Sequence, residues 1–198
     1  MNKILLLIVG CLLNVSLAAN ELVYFQFNEN EGNTAVDYSG VGNNGILSSS
    51  MSFANTRLSI LGYAAEFNNP TDRITVSNFS LPSDHLSISL WFYVNEYVNR
   101  KRDDRLFSKS SGVASNDHLM MLSTFAVGDK TRLRARLKTS AKTHTMIAEE
   151  GDILLNTWHH AAFVYDGDRA RLFLNGKIVG TYTLTGQIIS DPRVLASL

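Results

Sequence analysis

The sequence has a single cysteine, Cys11, which lies in the apolar stretch at the N-terminus. A chain that loses this stretch can form no disulfide, no cysteine-ligated metal site and no cysteine nucleophile. An excess of one charge is also missing, because 18 Lys and Arg balance 18 Asp and Glu. Such a chain has no general attraction to nucleic acid or to an anionic membrane surface. We therefore expect no nucleic-acid partner and no disulfide scaffold.

The first residues predict a signal peptide over residues 1–18. Lys3 supplies its positive charge, an apolar stretch follows, and Ser16-Leu17-Ala18 places small residues before a cleavage site. The apolar run is shorter than the ~20 residues of a membrane anchor. We expect a secreted, extracellular or cell-surface protein, with no membrane insertion after signal cleavage. One alternative stays open, because Ile8-Val9-Gly10-Cys11 resembles a lipoprotein box in which Cys11 would carry lipid.

Helical periodicity is absent after residue 20, and short segments with a period of two take its place. In Leu86–Val94, apolar side chains at every second position define one face of a strand. Glycine-containing turns at residues 166–168 and 175–177 predict tight hairpins. Further strands are predicted at residues 22–27, 73–76, 132–138, 143–148, 158–165, 169–174 and 177–183. This pattern predicts an all-β, two-sheet antiparallel β-sandwich or jelly roll.

Four segments follow one another in an order that is specific, although each is weak alone. They are Phe25–Gly32 with Asp37–Leu47, then Ala65–Val76, then Leu86–Val94, and finally Trp158–Gly167 with Arg171–Lys177. Together they resemble the laminin-G-like, concanavalin-A-like lectin/glucanase jelly-roll domains. The resemblance implies one such domain over residues 19–198. It also implies a further closing strand with an acidic motif; its absence predicts a chain that is truncated at its C-terminus.

Catalytic groups are not evident, although relatives of the fold include glucanases. A retaining glycosidase needs two carboxylates about 5–5.5 Å apart, and the acidic E-x-D-x-x-E pattern of laminarinase-type relatives is absent. The nearest approach, Glu149-Glu150-Gly151-Asp152, is typical of a solvated turn. We therefore expect no enzyme, and polysaccharide degradation is the least favoured hypothesis.

Calcium is the cofactor that the loops favour. Asp37, Asn43 and Asn44 lie in an Asn- and Gly-rich loop, and carboxylate and amide oxygens are ligands of this ion. The resemblance adds Asp72, which falls where pentraxin relatives hold calcium. The alternative is that these side chains shape turns by bonding to their own backbone. The pair His159-His160 is not expected to chelate, because neighbouring strand residues point to opposite faces.

A basic row is a candidate ligand surface. Arg132, Arg134, Arg136 and Lys138 alternate along one strand and share one face. Arg guanidinium groups pair with carboxylates and sulfates, so the row is a candidate platform for an acidic glycan. The alternative is a charged solvent face that prevents aggregation.

The sequence alone identifies no exposed aromatic surface on which a sugar could stack. Trp91 and Trp158 lie in apolar strands and are expected in the core, whereas Tyr38, Tyr63 and Tyr97 lie near loops and are candidates for stacking. The leading hypothesis is a secreted or cell-surface, non-catalytic recognition module that binds carbohydrate with help from calcium. The alternative is a protein-binding or adhesion domain of a larger surface protein.

Overall fold

The computed structural model describes residues 4–7, 21–55, 62–76, 79–97 and 103–198. Within these ranges the chain forms short β-strands and one 3-10 helix, Ser115–Asp117. The strands are β1 Ile4–Leu7, β2 Thr34–Ala35, β3 Gly45–Leu47, β4 Ser52–Asn55, β5 Tyr63–Phe67, β6 Ile74–Val76, β7 Leu86–Val94, β8 Arg105–Ser110, β9 His118–Val127, β10 Lys130–Lys138, β11 Thr143–Ile147, β12 Trp158–Tyr165, β13 Arg169–Leu174, β14 Lys177–Thr183 and β15 Ala196–Ser197.

The strands form two sheets. The seven-stranded sheet has the order β14-β13-β12-β7-β1-β5-β4, and the eight-stranded sheet has the order β11-β10-β9-β8-β15-β6-β3-β2. Neighbouring strands are antiparallel, and β12, for example, pairs with both β7 and β13. The predicted two-sheet antiparallel β-sandwich of the jelly-roll type is therefore confirmed.

One hydrophobic core lies between the sheets. Phe92 and Phe163 reach it from the seven-stranded sheet, and Leu122 and Leu133 reach it from the other. All four side chains are fully buried, and each such burial stabilises the fold by about 1.5–3 kcal/mol. Because side chains alternate between faces, a slip of one residue in β7 would expose Phe92 and bury its neighbours. The core therefore fixes which residues face outward.

The predicted strand at residues 22–27 is wrong. Only an isolated bridge joins Phe25 to Asp37 in this segment. Phe27 has a φ of 56°, a left-handed conformation that ends an extended chain. Both phenylalanine rings are nevertheless fully buried, with centroids 5.6 Å apart. The apolar pattern of residues 22–27 therefore arises from burial in the core, although the segment forms no regular strand.

Strand β1 lies between β5 and β7 and is antiparallel to both. It falls within the predicted signal peptide, so cleavage after residue 18 would remove it from the sheet; that cleavage stays a prediction. The predicted cleavage site and Cys11 lie outside the described residues. In the part of the chain that the structure describes, no helix has the length and hydropathy needed to cross a bilayer.

Candidate functional site

Four aromatic rings form a two-by-two block on the outer face of the seven-stranded sheet, the face turned away from the core. We name Trp91, Tyr93, Trp158 and His160 the aromatic block. In the strand register Trp91 lies opposite His160, and Tyr93 lies opposite Trp158. The ring centroids of these pairs are 5.2 Å and 5.5 Å apart. Residues directly opposite on one face of a sheet are close enough to pack together.

The two tryptophans are not in the core, so that expectation is wrong. Trp91 alternates with the buried residues Leu90 and Phe92, and Trp158 precedes the buried His159. Each tryptophan is half-buried. Apolar residues predominate in both strands, which hides the outward position in a count of apolar residues. The alternation of side chains does indicate the outward position of Trp91, because Trp91 shares its face with the polar Ser89.

Ser89 adds a polar group beside the block. It is exposed, and its Oγ lies 2.7 Å from Nε2 of His160. Burial lowers the pKa of the His160 imidazole, so the ring is neutral at pH 7 and the serine hydroxyl can donate to it. The block therefore combines flat apolar rings with a hydrogen-bonding pair at its side.

The hairpin turn after β13 positions the histidines. Asn175 and Gly176 have φ values of 51° and 79°, as the predicted tight turn requires. The Asn175 Oδ1 accepts a hydrogen bond of 2.8 Å from the backbone N–H of His160, and its Nδ2 lies 3.2 Å from Nδ1 of His159. Nε2 of His159 lies 3.0 Å from the backbone nitrogen of Leu154. As predicted, the neighbouring histidines face opposite sides, His159 inward and His160 outward.

The tyrosines that were candidates for stacking lie apart from the block. Tyr38 is 50% exposed in the loop after β2 and packs edge-to-face on Tyr24, with centroids 6.5 Å apart. Tyr63 is half-buried at the start of β5, and Tyr97 is half-buried against the core.

The basic row lies on the outer face of the eight-stranded sheet, and its centre is buried. Arg134 is only 4% exposed. Its guanidinium pairs with Asp103, donates to Ser123 Oγ at 3.2 Å, and stacks over the Phe125 ring at 4.4 Å. A side chain so enclosed has little surface to offer a ligand.

The other members of the row also have protein partners. Arg132 donates to the backbone carbonyls of residues 148 and 149. Arg136 donates to Thr145 Oγ1 at 3.1 Å, and Lys138 donates to the Asn116 carbonyl at 2.9 Å. The predicted shared face is present, while the predicted binding of an acidic glycan stays a prediction.

The candidate calcium ligands are occupied by hydrogen bonds. The Asp37 carboxylate accepts from the backbone N–H of Tyr24, Ser39, Gly42 and Asn43, and from the Ser39 hydroxyl, at 2.8–3.1 Å. Burial alone would raise the pKa of Asp37, but these bonds outweigh it and lower the pKa. The Asn44 Oδ1 accepts from the Asp37 N–H at 2.8 Å, and Asn43 Nδ2 donates to the Leu22 carbonyl at 2.8 Å.

Asp72 is used in the same way. It accepts from the backbone N–H groups of Asn68 and Asn69 at 2.7 and 2.9 Å and from the Ser50 hydroxyl. These donors organise the loop and leave neither oxygen of the carboxylate free.

A sequence profile described as the concanavalin A-like lectin/glucanases superfamily matches residues 67–196, more than half of the chain. The chain belongs to this superfamily. Domain 4 of AbnA, a GH43 extracellular arabinanase from Geobacillus stearothermophilus solved in complex with arabinotriose, is similar in fold. It is 17% identical with a TM-score of 0.62, over 89% of this chain and 81% of that one.

A second solved structure, a mutant of HCR/D, is 14% identical with a TM-score of 0.59, over 85% of this chain and 41% of that one. At these identities the likenesses show the fold alone. No curated protein matches the sequence.

Calcium, which the Asp37 loop and the resemblance to pentraxins both predicted, does not fit the residues as they are arranged. The carboxylates of Asp37 and Asp72 already accept N–H and O–H donors, and an ion would have to displace these. Over the described ranges, no three or more His, Cys, Asp or Glu side chains come together as a metal site. A calcium shell needs six to eight oxygens.

The superfamily includes both lectins and glucanases, so membership does not decide whether this chain is catalytic. A retaining glycosidase needs two carboxylates about 5–5.5 Å apart. The acidic segment at residues 149–152 lies at the edge of the sandwich, where Asp152 forms an ion pair of 2.9 Å with Lys130.

Proposed function

We propose that this protein is a secreted or cell-surface, non-catalytic module that binds carbohydrate on the aromatic block. The block is the observation that carries the proposal. Outward faces of antiparallel sheets are usually polar, yet this one carries two tryptophans and a tyrosine side by side. The C–H-rich faces of sugar rings pack well on such flat rings, and Ser89 with His160 can bond to sugar hydroxyls.

The arabinanase domain supports the choice of carbohydrate as ligand. That domain was solved with arabinotriose and has the same fold as this chain. Secretion rests on the predicted signal peptide, and the absence of the E-x-D-x-x-E pattern from the sequence supports a role without catalysis. Calcium is not part of the proposal.

Intrinsic fluorescence tests the proposal directly, because the chain has only two tryptophans and both are in the block. Neutral oligosaccharides derived from arabinan and β-glucan are titrated into the full chain. Binding should change the emission, and Trp158→Ala should weaken affinity about tenfold, a loss of ~1.4 kcal/mol. The matched control is Tyr38→Ala, an exposed aromatic residue outside the block, which should bind as the wild type does. Oligosaccharide binding that survives both Trp91→Ala and Trp158→Ala would contradict the proposal.

A protein-binding or adhesion role is the second candidate, and a separate surface favours it. Four apolar side chains near the edge strand β2 are 37–58% exposed: Val36, Tyr38, Val41 and Ile46. Neighbouring exposed apolar residues are typical of protein interaction sites. Replacing Val41 and Ile46 by Ser should abolish adhesion to a surface-displayed partner and leave oligosaccharide binding unchanged.

A further inference from the structure

Strand β1 occupies a place inside the seven-stranded sheet that the predicted processing of the chain would empty. It lies between β5 and β7, and its Leu6 is paired with Ala65 on one side and with Phe92 on the other. The whole of β1 belongs to the predicted signal peptide over residues 1–18. Cleavage would therefore open a gap, one strand wide, in the middle of this sheet. We name the gap between β5 and β7 the strand slot.

The strand slot has the width of one polypeptide strand. Neighbouring strands of a sheet are about 4.8 Å apart, so β5 and β7, which flank β1, are about 9.6 Å apart. Backbone hydrogen bonds need a nitrogen-to-oxygen distance of about 2.9 Å, so β5 and β7 cannot bond across the gap. Without β1, the backbone N–H and C=O groups along both sides of the slot would lose their partners, which is unfavourable in a folded protein. An extended polypeptide would restore both rows of hydrogen bonds at once.

Direct pairing of β5 with β7 would change the type of the sheet. Because β1 is antiparallel to both strands, β5 and β7 run in the same direction. Closing the slot would create a parallel pair beside antiparallel ones, and parallel pairing is slightly less stable per residue. Strand β4, which is paired with β5, would have to move as well. An inserted strand keeps the arrangement of the sheet, whereas closure does not.

The floor of the strand slot is the hydrophobic core. Ala65 on one side, and Phe92 and Val94 on the other, are fully buried. Directly paired residues of neighbouring strands lie on the same face of a sheet, so an inserted strand would place alternate residues opposite Phe92 and Val94, towards the core. These positions require apolar side chains. Strand β1, which occupies the slot, has the apolar sequence Ile4–Leu7.

The described residues after the predicted signal peptide already have places elsewhere in the fold. Each strand from β2 to β15 belongs to one of the two sheets. The N-terminal segment that precedes β2 is held by Phe25 and Phe27, whose rings are fully buried. Near the C-terminus, the Ile188 N–H donates to the Ser83 carbonyl at 2.6 Å, and β15 is paired with β6 and β8. A strand for the slot would therefore come from outside these residues.

We propose that the strand slot is a docking site for an extended segment of a second polypeptide, which enters antiparallel to β5 and β7. This inference goes beyond carbohydrate binding and depends on the predicted signal cleavage. The docked segment has at least four residues, with apolar side chains at the two positions opposite Phe92 and Val94. Strand addition of this kind takes its affinity from main-chain hydrogen bonds and its specificity from alternate side chains. The aromatic block keeps its support, because β7 remains paired with β12.

A peptide with the sequence of residues 3–8, extended by lysines for solubility, tests the proposal. It is titrated into chain that has been secreted from cells and shown by mass spectrometry to lack residues 1–18. Position 7 of the peptide would lie opposite Trp91, so binding should change the tryptophan emission. At about 100 times its Kd, the peptide should raise the Tm by about 5 °C.

Two matched controls accompany the titration. The first is the same peptide with Leu6→Pro, which cannot donate a backbone hydrogen bond at the centre of the slot and should not bind. The second is the full chain, produced without secretion and retaining residues 1–18, in which β1 fills the slot and should exclude the peptide. If the cleaved chain is unfolded alone, circular dichroism replaces fluorescence. The β-sheet signal should then appear with the peptide and not with its proline form.

Each outcome decides the proposal. Binding to the cleaved chain alone, and by the peptide without proline alone, supports it. Equal binding by both peptides or to both chains would reveal adhesion of apolar peptides without a slot, and would overturn it. A secreted chain that retains residues 1–18, a cleaved chain that neither binds nor folds with the peptide, or a dimer of the cleaved chain that excludes the peptide would also overturn it. The proposed carbohydrate binding is decided separately, by the oligosaccharide titration of Trp158→Ala.

Discussion

The two outer faces of the sandwich are built on the same alternation of side chains and differ in what their outward groups contact. On the seven-stranded sheet, the aromatic block presents half-buried rings that pack on one another. On the eight-stranded sheet, the basic row is tied to protein groups, and Arg134 is enclosed by Asp103, Ser123 and Phe125. A period of two identifies an outward face, but availability to a ligand depends on contacts that come from elsewhere in the chain.

The largest expected effect is the difference in stability between a substitution on the inner face of β7 and one on its outer face. Phe92→Ala should lower the free energy of unfolding by about 3–5 kcal/mol, because it leaves a cavity in the core. Trp91→Ala, one residue away on the outer face, should cost less than about 1.5 kcal/mol because the ring is only half-buried. Urea denaturation measures both. Equal losses would show that Trp91 packs as a core residue and would undermine the aromatic block.

Arg134 gives the next largest effect, on the opposite face. Arg134→Met should lower the free energy of unfolding by about 3 kcal/mol, because Asp103 loses the partner of a largely buried ion pair. Lys138→Met, at the end of the same row, should lower the free energy of unfolding by less than about 1 kcal/mol. The Lys138 ammonium group donates a hydrogen bond only to the Asn116 carbonyl, near the surface. If both variants are as stable as the wild type, the row is a solvated face after all.

Asp104 should make stability depend on pH. Burial, with a smaller effect of the neighbouring Asp103 charge, raises the pKa of its carboxyl to about 6. The folded state therefore binds more protons than the unfolded state between pH 4 and 6, and the free energy of unfolding falls as the pH rises through this range. Asp104→Asn should be more stable than the wild type at pH 8, by up to about 2 kcal/mol, and equally stable at pH 4. A constant difference across the range would contradict the shifted pKa.

Several features could be predicted from the sequence because they are local. The bounds of β7 and β12 match the alternating segments, and the Asn175-Gly176 turn has the positive φ values that its residue types favour. The environment of Arg134 could not be predicted in this way, because Asp103 is 31 residues away in the chain.

Protonation of His160 gives the smallest expected effect, and it tests whether the rings of the aromatic block are in contact. Burial lowers the pKa of its imidazole, so it should take up a proton only below its usual value of 6.5. A protonated imidazole quenches the emission of a neighbouring indole, and the His160 and Trp91 rings are 5.2 Å apart. Tryptophan emission should therefore fall as the pH drops through a midpoint below 6.5, and His160→Gln should remove this step. His159→Gln should leave the step in place, since His159 packs on Phe92 in the core. A step that persists in His160→Gln would mean that another group titrates beside the tryptophans and that the ring pair is not formed in solution.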